Sequence, residues 1–101
     1  MNNFTVQSEE EIAEFISTHP DWRYEDDLLK ADFVLSSFAA TMKVIARVGE
    51  EAERMNHHPE WSNAYTKLSF AFATHDADNK ITNLDTEMAM FISIAVAEQS
   101  A

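Results

Sequence analysis

Asn56-His57-His58-Pro59-Glu60-Trp61 is where the chain changes its hydrophobic period, and that change decides the fold class. Upstream, apolar residues recur at steps of three or four: Phe38, Met42, Ile45, Val48, Ala52 and Met55. That spacing predicts one long amphipathic helix. Downstream, from Ala64 to Phe72, Leu68, Phe70 and Phe72 alternate with Lys67, Ser69 and Ala71, the period of a half-buried strand. Pro59 cannot continue a helix, so the switch falls on the histidine pair. No turn signal interrupts residues 62 to 74, which leaves one long bent strand and two shorter pieces equally open.

Working outward, Ser8 before Glu9-Glu10-Glu11 is an N-cap followed by acids that favour the positive end of a helix dipole. Ile12, Phe15 and Ile16 supply the apolar face of that first helix, and His19-Pro20 closes it. Trp22-Arg23-Tyr24 reads as a short strand, Glu25-Asp26-Asp27 as a turn, and Leu28 to Leu35 as a second strand with Phe33 and Leu35 on one face. Ser36 or Ser37 caps the long helix. Gly49, the only glycine, falls inside that helix. A helical glycine costs about 1 kcal/mol relative to alanine, so close approach of another backbone is expected there. After the polar loop Asp76 to Lys80, Thr82 and Asp85 form a capping-box pair, and Met88, Phe91, Ile92 and Ala95 mark the buried face of a last helix. The order α-β-β-α-β-(β)-α predicts an α+β fold, an antiparallel sheet with helices packed on one face.

At 101 residues the whole chain, 1–101, is expected to be one domain with one core. The content of 46% hydrophobic and 11% aromatic residues excludes a disordered chain. Cysteine is absent, so disulfides and thiolate metal sites are excluded. Seven basic against eighteen acidic residues give a net charge of −11, which disfavours phosphate backbones and anionic lipid as partners. No run is apolar enough to span a bilayer, and Met-Asn-Asn-Phe-Thr-Val-Gln has no basic start or apolar core of a secretory signal. A cytoplasmic location is the expectation.

Three of the four histidines, His57, His58 and His75, stand at element boundaries, where a scaffold can hold them toward a cleft. Imidazole gives and takes protons near neutrality, so proton-transfer chemistry on a small molecule is the first reading. Neighbouring residues diverge in regular structure, yet at a helix-to-strand bend His57 and His58 can both line one concave surface. Zinc is the rival reading, since histidines and a carboxylate are suitable ligands. Two zinc histidines on a helix stand four apart, however, and adjacent ones do not share a face, so no metal is expected. Glu53 lies one helical turn before His57 and can face the same cleft. Asp85 can bond a histidine or the substrate while also capping its own helix. Trp61 reads first as a packing residue beside the site.

The run Ala46-Arg47-Val48 through Ala52-Glu53, His57-His58-Pro59-Glu60-Trp61, Asn63, Tyr65, Lys67 and Thr74-His75 resembles the pterin-4a-carbinolamine dehydratase family. The resemblance continues through Ile81-Thr82 and Asp85 and, more loosely, upstream through Trp22, Phe33, Leu35 and Phe38, covering roughly residues 20 to 96. It implies a hydro-lyase that dehydrates a 4a-hydroxytetrahydropterin to the quinonoid dihydropterin, supporting tetrahydrobiopterin recycling. His57 and His58 are then the principal acid/base pair, and His75 assists or orients the ring. Glu53, Asn56, Trp61, Ala73, Thr74, Asp76 and Asp85 become candidate substrate contacts, with edge hydrogen bonds from the backbone at Ala73-Thr74-His75-Asp76. The pterin is the substrate, and no cofactor or metal is implied. Self-association as a homotetramer or homodimer is implied, and a non-catalytic pterin-binding or protein-dimerisation module of the same fold is the alternative. Two departures stand out. Asn56 occupies a position where many animal members carry aspartate, and the loop Asp76 to Lys80 lacks the usual glycine and is one residue longer.

Overall fold

The computed structural model describes residues 3–99. Its elements are α1 (Glu9–Thr18), β1 (Arg23–Glu25), β2 (Leu28–Val34), α2 (Phe38–Met55), β3 (Glu60–Ala64), β4 (Lys67–Phe72), a 3₁₀ turn at His75–Ala77 and α3 (Asn83–Glu98). The four strands form one antiparallel sheet in the order β1-β2-β4-β3. The α+β architecture expected from the sequence is the one observed.

Local chemistry sets the boundaries. Ser8 and Glu11 form a reciprocal capping box at α1. Ser37, not Ser36, caps α2 by accepting from Ala40 N–H. The β1–β2 turn places Asp26 and Asp27 at φ 57° and 62°, the two left-handed residues a tight hairpin requires. Between β3 and β4 the open question resolves as two strands: Ala64 pairs with Lys67 across the two-residue loop Tyr65-Thr66. Tyr65 takes φ 56°, and Asn63 Nδ2 donates to the carbonyls of Tyr65 and Lys67, so a side chain braces a turn that contains no glycine.

One face of the sheet carries Leu29, Ala31 and Phe33 from β2 with Leu68, Phe70 and Phe72 from β4, all buried. They share a core with Val44 and Val48 of α2 and Met88 and Ile92 of α3. Trp22, 1% exposed, sits edge-on to Phe33 and Phe72 while its indole N–H donates to Ser93 Oγ at 2.9 Å. This core anchors the two helix ends and the strand end that build the site.

Two expectations about α2 are corrected. Its buried residues are Ala40, Thr41, Val44, Val48 and Ala52, whereas Phe38 is 48% exposed and Met42, Ile45 and Met55 lie half-buried on the flank. Small side chains occupy the seam, and Thr41 satisfies its hydroxyl within the helix by donating to Ser37 O. A Cβ at Gly49 would meet nothing within 4 Å, so no backbone approaches there.

Candidate active site

The end of α2 determines where the histidine pair points. Asn56 adopts a left-handed conformation (φ 51°, ψ 44°), and His57 N–H reaches back to Ala52 O at 3.0 Å, closing the helix in a Schellman arrangement. Asparagine is one of the few residues besides glycine that takes this conformation readily, which gives Asn56 a local reason to be there. The sharp exit lets two consecutive histidines border the same cleft. Opposite them, β4 ends at Phe72, and the chain folds back on itself: Thr74 N–H donates to Lys80 O, and Thr74 O accepts from Ala77 and Asn79 N–H. Asp78 and Asn79 supply the left-handed residues of this loop in place of glycine, at φ 56° and 61°.

Between these ends lies a cleft of about 250 Å³ lined by Asn56, His57 and His58 on one side and Ala73, Thr74, His75 and Asp76 on the other, with Phe4 and Leu84 completing it. The three boundary histidines are therefore brought together. The fourth, His19, caps α1 and stacks on Phe15.

His57 and His58 have unlike surroundings. His57 is 9% exposed and edge-on to Phe72, with its Nε2 2.8 Å from Oδ1 of the fully buried Asp85. The other Asp85 oxygen accepts from Thr74 Oγ1 at 2.7 Å and from Thr82 N–H at 2.9 Å. The Thr74 and Thr82 hydroxyls lie 2.6 Å apart, and Leu84 N–H donates to Thr82 Oγ1. Since the single Thr74 proton goes to Asp85, the Thr82 hydroxyl donates to Thr74, and every proton in the cluster has a place. With Asp85 accepting, the network assigns a proton to Nε2 of His57, leaving Nδ1 for a ligand. His58 by contrast has a side chain 58% exposed, and its Nε2 is 3.6 Å from Oε2 of Glu53, itself 81% exposed.

Three candidate substrate contacts lie outside the cleft lining, and a fourth borders it with its polar groups already engaged. Asp85 is fully buried and absent from the cleft lining, because its oxygens are engaged by His57, Thr74 and Thr82 while it completes the α3 capping box. Thr74 borders the cleft, but its hydroxyl and both backbone groups are engaged within the protein. Glu53 stands beside His58 outside the lining, and Trp61 lies on β3 opposite Phe70, away from the cleft. Phe4 and Leu84 were not singled out from the sequence. The apolar alternation Phe4, Val6 in a polar opening segment was the available signal. Among the described residues, no group of three or more histidines and carboxylates could hold a metal ion. Among the same residues, no helix is long and apolar enough to cross a membrane.

Comparisons with known proteins point to one family. Residues 5–95 match the family model described as pterin 4 alpha carbinolamine dehydratase. A protein of Opitutus terrae is 36% identical over 85 residues, covering 84% of this chain and 88% of the relative. One from Rhizorhabdus wittichii is 37% identical over 93 residues, covering 90% and 94%. Both carry the name "Putative pterin-4-alpha-carbinolamine dehydratase". A crystal structure from Brucella melitensis, described as a transcriptional coactivator/pterin dehydratase, superposes with a TM-score of 0.85 at 29% identity, covering 91% of this chain and 99% of that one.

Proposed function

Because the chain belongs to the pterin 4 alpha carbinolamine dehydratase family, we propose that it removes water from a 4a-hydroxytetrahydropterin by histidine acid–base catalysis. The observation that carries this reading is the convergence of His57, His58 and His75 on one cleft of about 250 Å³. The carbon–oxygen bond at the 4a position breaks, a proton goes to the departing hydroxyl, and another leaves a ring nitrogen to form the quinonoid dihydropterin. Electrons redistribute within the ring, so the reaction balances without an oxidant or reductant.

The geometry supports distinct roles. His57, oriented through Nε2 by Asp85, offers Nδ1 as the base, and the carboxylate stabilises the imidazolium that forms. His58 is accessible enough to deliver a proton to the leaving hydroxyl, with Glu53 beside it. His75 and the backbone of Ala73, His75 and Asp76 face the pair across the cleft and orient the flat ring by its polar edge. Such an enzyme serves tetrahydrobiopterin recycling after aromatic amino-acid hydroxylation, in the cytoplasm.

The reading extends to self-association as a homotetramer or homodimer. It is supported by the edge strand β3, all five residues of which are exposed, and by exposed Met90 and Ile94 on α3. Native mass checks that part. Stopped-flow measurement of carbinolamine loss tests the activity: the purified protein should accelerate it, and a rate equal to the uncatalysed one would refute the reading.

A further inference from the structure

The opening segment is pinned across the start of α3. Asn83 N–H donates to Thr5 O at 3.1 Å, Asn83 Oδ1 accepts from Thr5 N–H at 2.6 Å, and Gln7 N–H donates to Ile81 O at 2.8 Å. An antiparallel bridge joins Val6 to Thr82 between them. This strap brings Phe4, half-buried and apart from the hydrophobic core, to the wall of the histidine cleft. Phe4 also stands one residue outside the stretch matched by the family model, residues 5–95.

We propose that Phe4 is a substrate-binding residue whose ring stacks on the flat bicycle of the pterin, and that Asn83 is the positioning residue holding the strap. A pterin has apolar faces and a polar edge. The histidines, Asn56 and Asp76 suit the edge, while Phe4 and Leu84 are the large apolar side chains available to a face. Trp61, the aromatic residue among the candidate contacts, lies on β3 outside the cleft lining. Stacking of a heterocyclic base on an aromatic side chain corresponds to roughly a five- to hundredfold change in affinity when the ring is removed. Phe4 transfers no proton, so it binds ground state and transition state alike and acts on KM, not kcat.

The kinetic arm of this inference rests on the dehydratase reading, and a binding arm does not. Phe4→Ala should raise KM about five- to a hundredfold with kcat within about threefold. It should weaken binding of an oxidised pterin, followed by fluorescence quenching, in parallel. Phe4→Tyr should restore both. Asn83→Ala should raise KM in the same way, while Asn83→Asp, which keeps an acceptor for Thr5 N–H, should rescue it. Unchanged KM and pterin affinity in Phe4→Ala would overturn the proposal, as would a fall in kcat alone. A wild type that binds the pterin, loses it in Phe4→Ala and yet turns nothing over would sink the dehydratase reading while upholding the wall.

Discussion

His57 and His58 are neighbours in the chain and opposites in their surroundings. One is buried, edge-on to Phe72 and tied to a carboxylate that two threonines and a helix cap hold in place. The other is more than half exposed and has only a loose, solvated glutamate beside it. The left-handed Asn56 makes this split possible by turning the backbone between a helix end and a strand. Sequence adjacency therefore brings two imidazoles to one cleft, and tertiary packing then gives one a fixed orientation and leaves the other exposed to solvent.

Removing either ring should cost the most. His57→Ala and His58→Ala should each lower kcat by about 10² to 10⁴, the usual range for a general acid or base. They should differ in stability. His57→Ala vacates a buried hydrogen bond and leaves Asp85 with an unpaired oxygen, costing about 1–3 kcal/mol, whereas His58→Ala should fall within about 0.5 kcal/mol of wild type in urea unfolding. Equal stabilities would erase the distinction.

Asp85→Asn sharpens it. The amide keeps the volume but presents its NH₂ to one of its two partners, so either His57 loses the acceptor that sets its tautomer or Thr74 and Thr82 face a donor. The rate should fall about 10- to 100-fold, by analogy with the loss when the carboxylate orienting a metal-bound histidine is replaced. The change should appear in kcat more than in KM, since Asp85 lies outside the cleft lining. A rise in KM alone would mean that Asp85 touches substrate.

Much of this arrangement was legible in the sequence, and the reasons are local. Ser8 with Glu11 and Thr82 with Asp85 announce their helices because capping is a short-range contest between side chain and backbone. The strand period of Leu68, Phe70 and Phe72 was readable for the same reason, whereas His75 joined the histidine pair chiefly through the family resemblance. What escaped depended on one uncommon local brace and otherwise on distant partners. The Tyr65-Thr66 turn carries no glycine because the Asn63 amide braces it. Phe4 reaches the cleft only because residues 5–7 bind a segment some 75 positions away in the chain. Trp61 sits in the family's motif, yet it belongs to the sheet edge; Thr74 and Asp85 support a histidine from within the protein.

Smaller effects come from residues 56 and 49. Asn56→Asp puts a carboxylate on the cleft beside the pair while keeping a residue that tolerates the left-handed region. Negative charge favours imidazolium, so the basic limb of the pH–rate profile should move upward by a fraction of a unit, with little change in KM. An unmoved profile would separate residue 56 from the histidines proposed to carry the protons. Gly49→Ala adds a methyl where nothing lies within 4 Å. It should stabilise the protein by about 0.5–1 kcal/mol and leave turnover alone, showing that α2 can be stiffened without disturbing either histidine.

If the two dissimilar histidines act as one acid–base unit on a pterin carbinolamine, removing both should cost little more than removing one. The most direct test is the dehydration rate of the His57→Ala/His58→Ala double variant, measured beside the wild type and both single variants, with folding verified by circular dichroism. The wild type should run well above the uncatalysed rate and the double variant little slower than the worse single variant, because the losses of a unit do not multiply. A folded double variant that retains near-wild-type turnover would contradict it.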